Sequence, residues 1–142
     1  MVRYFEEVEV GEEFATPGRT ITEADLLAFA AISGDHAALD QTRGEPGLPP
    51  IIPELLVVTL TSGLGFRVPR PPPQILAFMV LDWRYLEPVR VGDTIHSRVR
   101  ITAKRAMKEG GILVERRETV NQRGQVVQEC EYKLMVARRP RG

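Results

Sequence analysis

Cysteine is almost missing from this chain. Cys130 stands alone among 142 residues, so no disulfide can form within the chain and no cysteine metal cluster exists. Neither sign of charge is in excess. The 19 basic and 19 acidic residues cancel, and the bulk charge attracts neither nucleic acid nor an anionic membrane. No apolar run reaches the ~20 residues that a membrane span requires. The longest such stretch, residues 51–66, also carries Glu54, Thr59, Thr61 and Ser62. The leading residues MVRYFEEVEVGEEF lack the apolar core of a signal peptide, so a cytoplasmic protein is expected. No internal repeat is present.

What the chain does hold is 43% hydrophobic residues, which suits one folded domain over residues 1–142. The organising stretch is IIPELLVVTLTSGLGF at 51–66. Leu55, Leu56, Val57, Val58, Leu60 and Leu64 leave almost no polar face at helical spacing, so the rest of the protein must wrap this helix. Pro53 suits the first helical position, and Glu54 sets a negative charge near the positive end of the helix dipole. Gly63 and Gly65 read as stop signals. Upstream, Thr22 reads as an N-cap with Asp25 three residues on, and Gly34 as the end of an outer helix. Leu26, Leu27, Phe29, Ala30 and Ile32 supply its apolar face. Residues 35–50 form a loop holding Asp35, His36 and Asp40.

The remaining chain reads as strand. Val8 and Val10 alternate in a short leading edge strand. The prolines of RVPRPPPQ force an extended connection, after which the period becomes two. Ile75, Ala77, Met79, Leu81, Trp83 and Tyr85 share one face, with Leu76, Phe78, Val80 and Leu86 on the other. Such a strand is central in its sheet or lies at a subunit contact. Ile95, Val99, Ile101 and Ala103 then alternate with His96, Arg98, Arg100 and Lys104. Ile112, Val114, Glu118 and Val120 continue the pattern more weakly. Asn121 to Gly124 is a hairpin turn, and the last strand places Cys130 inward beside Val126, Tyr132 and Leu134 as a core thiol. Arg138 to Gly142 reads as a frayed basic tail. The sum is an α+β fold, a curved antiparallel sheet around one buried central helix.

FAAISGD at 29–35, PIIPELL at 50–56 with SGL at 62–64, VGDTI at 91–95 and VNQRGQVV at 120–127 resemble the motifs of the MaoC-like acyl dehydratases. That family includes the (R)-specific enoyl-CoA hydratases. The likeness runs through nearly the whole chain, in order. It implies a hotdog fold, at least a homodimer with its two-fold contact along residues 75–86, and reversible hydration of acyl thioesters carried by coenzyme A or acyl carrier protein. It implies no cofactor and no metal.

The resemblance also implies site residues. Family members follow the SGD glycine with an aspartate and, five residues later, a histidine, in a pattern like D-x-N-P-x-H. The pair holds the water that attacks C3 of the enoyl thioester while C2 receives a proton. Backbone N–H groups opening the central helix face the thioester oxygen. Asp35 matches the aspartate. Ala37 and Ala38 replace Asn and Pro, Asp40 stands in the histidine position, and the loop from Gln41 to Pro50 is shorter than usual. At the helix start Pro53 precedes Glu54, which replaces a glycine, and Ser62 matches a small hydroxyl residue kept near the site.

Each residue has a plainer reading. Asp35 is also a capping carboxylate by position, and His36 either a solvent-facing loop histidine or a substitute for the missing one. Asp40 is either a solvated aspartate or half of a carboxylate pair. Glu54 also reads as a helix-dipole residue, Ser62 as a packing residue and His96 as an exposed one. Three functions follow. The first is a hydratase using Asp35 with a non-standard partner. The second is a non-catalytic hotdog subunit that pairs with an active relative or binds an acyl ligand. The third is a hotdog thioesterase in which Asp35 or Glu54 activates water against the thioester carbon.

Overall fold

The computed structural model describes residues 1–40 and 45–141. They form strands β1 (Glu13–Ala15) and β2 (Arg19–Thr20), helices α1 (Glu23–Ser33) and α2 (Glu54–Leu64), and strands β3 (Ile75–Tyr85), β4 (Thr94–Ala106), β5 (Gly111–Val120) and β6 (Val126–Val136). The strands pair antiparallel in the order β1-β4-β5-β6-β3, with β2 also on β4. The curved sheet holds α2 against its inner face, the hotdog arrangement that the resemblance implies. Leu56, Val57, Leu60, Thr61 and Leu64 of α2 are buried, packing with Ile21, Ile52, Val89, Ile95 and Val127.

Helix α1 begins and ends where local chemistry places it. Thr22 Oγ1 accepts the Asp25 N–H at 3.3 Å, and Asp25 Oδ2 accepts the Thr22 N–H at 3.0 Å. Gly34 closes it at φ +74°, a conformation that favours glycine. Its buried face is narrower than expected, because Leu26 and Ala30 are buried while Leu27 and Ile32 are exposed. In α2, Pro53 is the N-cap rather than the first helical residue. Gly65 does not stop the helix in a left-handed turn; it stays right-handed and leads into a 3-10 turn over Gly65–Arg67. The wrapping of α2 is one-sided in the single chain, since Leu55, Thr59 and Ser62 lie exposed along one flank.

Strand β3 is an edge strand. It pairs with β6 on one side and with no described residue on the other. Its faces do not follow the simple period of two, because bulges fall between Ile75 and Ala77 and between Phe78 and Val80. Phe78 is thereby turned toward Tyr132, with ring centroids 6.1 Å apart, instead of siding with Leu76 and Val80. On β5 the inward residues are Leu113, Glu115 and Thr119, not Ile112 and Val114, which are half-buried. The register explains this: Glu115 lies opposite Ile101 and Tyr132, both buried on the inner face.

The leading segment differs as well. Phe5 and Val8 are buried in and after a 3-10 turn over Phe5–Glu7, and the first strand comes later, at Glu13–Ala15. Phe5 fits because Gly111 has no side chain; a Cβ there would lie 2.1 Å from Phe5 Cδ2. The basic tail is pinned through part of its length. Arg138 Nε donates to Glu6 Oε1 at 3.0 Å, and Arg139 Nη2 donates to Glu7 Oε1 at 2.8 Å. Cys130 is buried as expected, in a cluster with Phe5, Ile101, Leu113, Tyr132 and Leu134. Among the described residues no helix is long and apolar enough to cross a membrane.

Candidate active site

The catalytic and substrate candidates sit on the turn after α1 and on α2, and one five-residue segment ties the entries of both helices. Residues 89–93 bond to the chain entering α1 and to the chain entering α2. Gly92 N–H donates to Ile21 O at 2.8 Å, and Ile21 N–H donates to Asp93 O at 2.9 Å. Ile52 N–H donates to Val89 O at 2.8 Å, and Val91 N–H donates to Pro50 O at 3.0 Å. The segment is fixed in turn by Asp93, whose Oδ2 accepts the Arg90 N–H and whose Oδ1 accepts Gln122 Nε2, both at 2.8 Å.

Asp35 follows the left-handed Gly34 at the N-cap position of a 3-10 turn over His36–Leu39, but its side chain makes no capping bond, unlike the capping carboxylate that its position suggested. Its backbone N–H donates to Ser33 Oγ at 3.1 Å, and Ser33 Oγ donates to Phe29 O at 2.7 Å. The backbone is thus anchored while the Asp35 and His36 side chains are exposed. Leu39 and Phe29 pack against the cluster that contains Ile52 and Leu56, which seats the turn beside the start of α2. Asp40 follows that turn, its N–H donating to Ala37 O at 3.1 Å, and it has an interacting partner. Asp35, His36 and Asp40 therefore share one turn. Of the loop 41–50, residues 41–44 lie outside the described residues, and with them the test of its length.

At the start of α2 the Leu56 and Val57 N–H groups bond to Pro53 O at 3.0 and 3.4 Å. The N–H groups of Glu54 and Leu55 make no hydrogen bond to a described residue, which leaves two donors at the positive end of the helix. The Glu54 side chain is exposed. Ser62 is not at this end. It lies roughly 12 Å along the axis at 1.5 Å per residue. Among the described residues no group of three or more metal-ligating side chains converges.

Residues 8–130 match the FAS1-like dehydratase domain region. This chain belongs to the MaoC-like acyl dehydratases, a family of acyl-thioester hydratases and dehydratases. Over 144 residues it is 30% identical to the (R)-specific enoyl-CoA hydratase of Rhodospirillum rubrum, covering 98% of this chain and 95% of that one. It is 37% identical over 115 residues to protein MaoC of Klebsiella aerogenes, covering 72% of this chain but spanning only 31% of that relative's length. A monoamine oxidase regulatory protein from Archaeoglobus fulgidus superposes at a TM-score of 0.85 with 27% identity, covering 98% of this chain and 97% of that one. A further structural neighbour is described as a double hotdog fold.

Two of the MaoC-like motifs turn out to be scaffolding. VGDTI supplies the segment that holds both helix entries, and VNQRGQVV supplies the Gln122 that fixes Asp93. Sequence reasoning missed other polar residues on the inner face. Gln128 is buried and accepts from Trp83 Nε1 at 2.8 Å. Glu115 and Arg117 form a buried ion pair, Arg117 Nη2 to Glu115 Oε2 at 2.6 Å. The signal was present, since opposite charges two residues apart on a strand share one face.

Proposed function

We propose that this MaoC-like chain is an acyl-thioester hydratase that adds water reversibly across the double bond of 2-enoyl groups on coenzyme A or acyl carrier protein. What supports the reading is the packing of Phe29 and Leu39 against the cluster of Ile52 and Leu56, which seats the Asp35 turn beside the start of α2. Asp35 holds the water and takes one of its protons as the oxygen bonds to C3 and the double-bond electrons pass to the enolate. That proton is then shuttled to C2, which completes the addition and frees Asp35. Asp40 or His36, on the same turn, is the non-standard partner. Pro53 and Glu54 frame the helix start, where the free N–H groups of Glu54 and Leu55 receive the enolate oxygen. Ser62 contacts the acyl chain further along α2. The chain acts as one hotdog domain in the cytoplasm and pairs with a second copy through the open edge of β3.

One observation favours a second reading. Asp40 occupies the position where the family carries histidine, which suits a non-catalytic subunit paired with an active relative. Incubating the purified protein with a panel of enoyl-CoA esters, and following hydration and thiol release separately, tests both. Hydration without thiol release is expected. Thiol release alone would instead mark a thioesterase, and acyl-CoA binding with neither reaction would mark the non-catalytic subunit.

A further inference from the structure

At the far end of α2, beneath Pro71–Pro73, lies a cavity of about 50 Å³ bounded by Ser62, Gly65, Phe78, Tyr132, Glu115 and Arg117. Its wall is polar in an unusual way. Arg117 donates through Nε at 3.0 Å and Nη2 at 2.6 Å to the same Glu115 oxygen, Oε2. The guanidinium lies 4.3 Å from the Tyr132 ring centroid, and the two charged side chains are only 12% and 4% exposed. Both arginine bonds converge on one oxygen. Glu115 Oε1 and Arg117 Nη1 therefore make no hydrogen bond to a described residue. Neither is sealed away, since Ser97 Oγ is the fully enclosed side-chain polar atom lacking a partner among the described residues. The pair thus offers the cavity an acceptor at Glu115 Oε1 and the two N–H donors of Arg117 Nη1.

Charge narrows what fits. The pair is neutral in sum, Glu115 repels an anion and Arg117 repels a cation. Nη1 also sits against Gly65, where an added Cβ would be 3.2 Å away, so the carbonyl end of α2 adds a further bar to anions. An uncharged group that both donates and accepts satisfies both open atoms, as a hydroxyl or a carboxamide does. The exposed flank of α2 connects this cavity to the helix start, since Leu55, Thr59 and Ser62 follow one another along it. The span is roughly 12–16 Å.

We propose that the cavity receives the distal end of the acyl chain and selects acyl thioesters that end in an uncharged hydroxyl or carboxamide over those that end in a methyl group. The proposal rests on the hydratase reading only for the position of the thioester at the start of α2. Calorimetric titration of the intact protein with saturated acyl-CoA esters tests it without turnover, comparing ω-hydroxy and methyl-ended chains of equal length from short to long. At the length that reaches Arg117, the hydroxy ester should bind roughly threefold to tenfold tighter, the range that about one net hydrogen bond produces. The double variant Glu115→Leu/Arg117→Met removes both charges together and leaves neither buried alone. It should lose the preference. Should it fail to fold, Gly65→Ala, which crowds Nη1, should reduce the preference in its place. Equal affinities at every length, or a preference that survives these variants, would overturn the proposal even if hydration is observed. A clear preference without hydration would keep it and remove the hydratase reading. Failure of every ester to bind would remove both.

Discussion

Gln122 donates from its side-chain amide to Asp93 Oδ1 at 2.8 Å and accepts the Thr94 N–H on its own oxygen at 3.0 Å. This pair joins two turns far apart in sequence, and through Asp93 it steadies the segment from which both helix entries hang. Asp93 is buried and also accepts the Arg90 N–H. Asp93→Ala should therefore leave polar groups unmatched and destabilise the fold by about 2–3 kcal/mol. Urea unfolding measures this. Activity should fall with stability, although neither residue touches substrate.

Asp35 should behave in the opposite way. Its backbone N–H, not its side chain, holds the turn through Ser33. Asp35→Asn should then unfold within about 0.5 kcal/mol of the parent, as exposed substitutions do. Hydration should fall by roughly 10²–10⁴-fold, the usual worth of a general acid–base group. Asp40→His should raise the rate by restoring the family pair. Full activity in Asp35→Asn would remove this turn from the mechanism.

The thiol of Cys130 and the phenol of Tyr132 are both pushed up to about 12 by burial. The fold favours their neutral forms, whereas the unfolded chain loses these protons at ordinary values, near 8.5 and 10. Stability should therefore be unaffected by these groups at neutral pH, decline as pH rises past the unfolded values, and level off only near 12. Unfolding free energies measured across that range should show the decline, and Cys130→Ser should remove the thiol's share of it. Thiol reagents should react slowly with the native protein.

The open edge of β3 carries Leu76, Phe78, Met79, Val80, Leu81 and Tyr85, all exposed in the single chain. A long apolar edge of this kind needs cover. Val80→Asp should weaken self-association, seen as a shift toward monomer in sedimentation. A monomeric parent protein would refute pairing along this strand.

Legibility followed the range of the interaction. The Thr22 and Asp25 cap and the left-handed Gly34 depend on near neighbours, and sequence located them. Asp35 was marked by motif. The inward face of β5 was misread because a buried Glu115 and Arg117 resemble a solvated face until their pairing is known. The bulges in β3 have no side-chain signature, so Phe78 was placed on the wrong side. Residues 89–93 tie both helix entries through backbone bonds; Gly92 and Asp93 mark a turn there, but which chain segments the turn bonds to has no local signature.

The placement of β3 has a kinetic consequence. Strands β4, β5 and β6 form successive hairpins, whereas β3 finds its partner only across roughly 40–60 residues, a closure that is slow by topology. The meander should therefore form first, with β3 docking last and its apolar faces open to other chains meanwhile. Trp83, the one tryptophan of the chain, sits on β3 against Tyr132 and Gln128 and reports that docking. In refolding from urea its fluorescence should lag the far-ultraviolet dichroism, and misassembly should rise with protein concentration during that lag. Coincident signals would mean that the sheet closes in a single step.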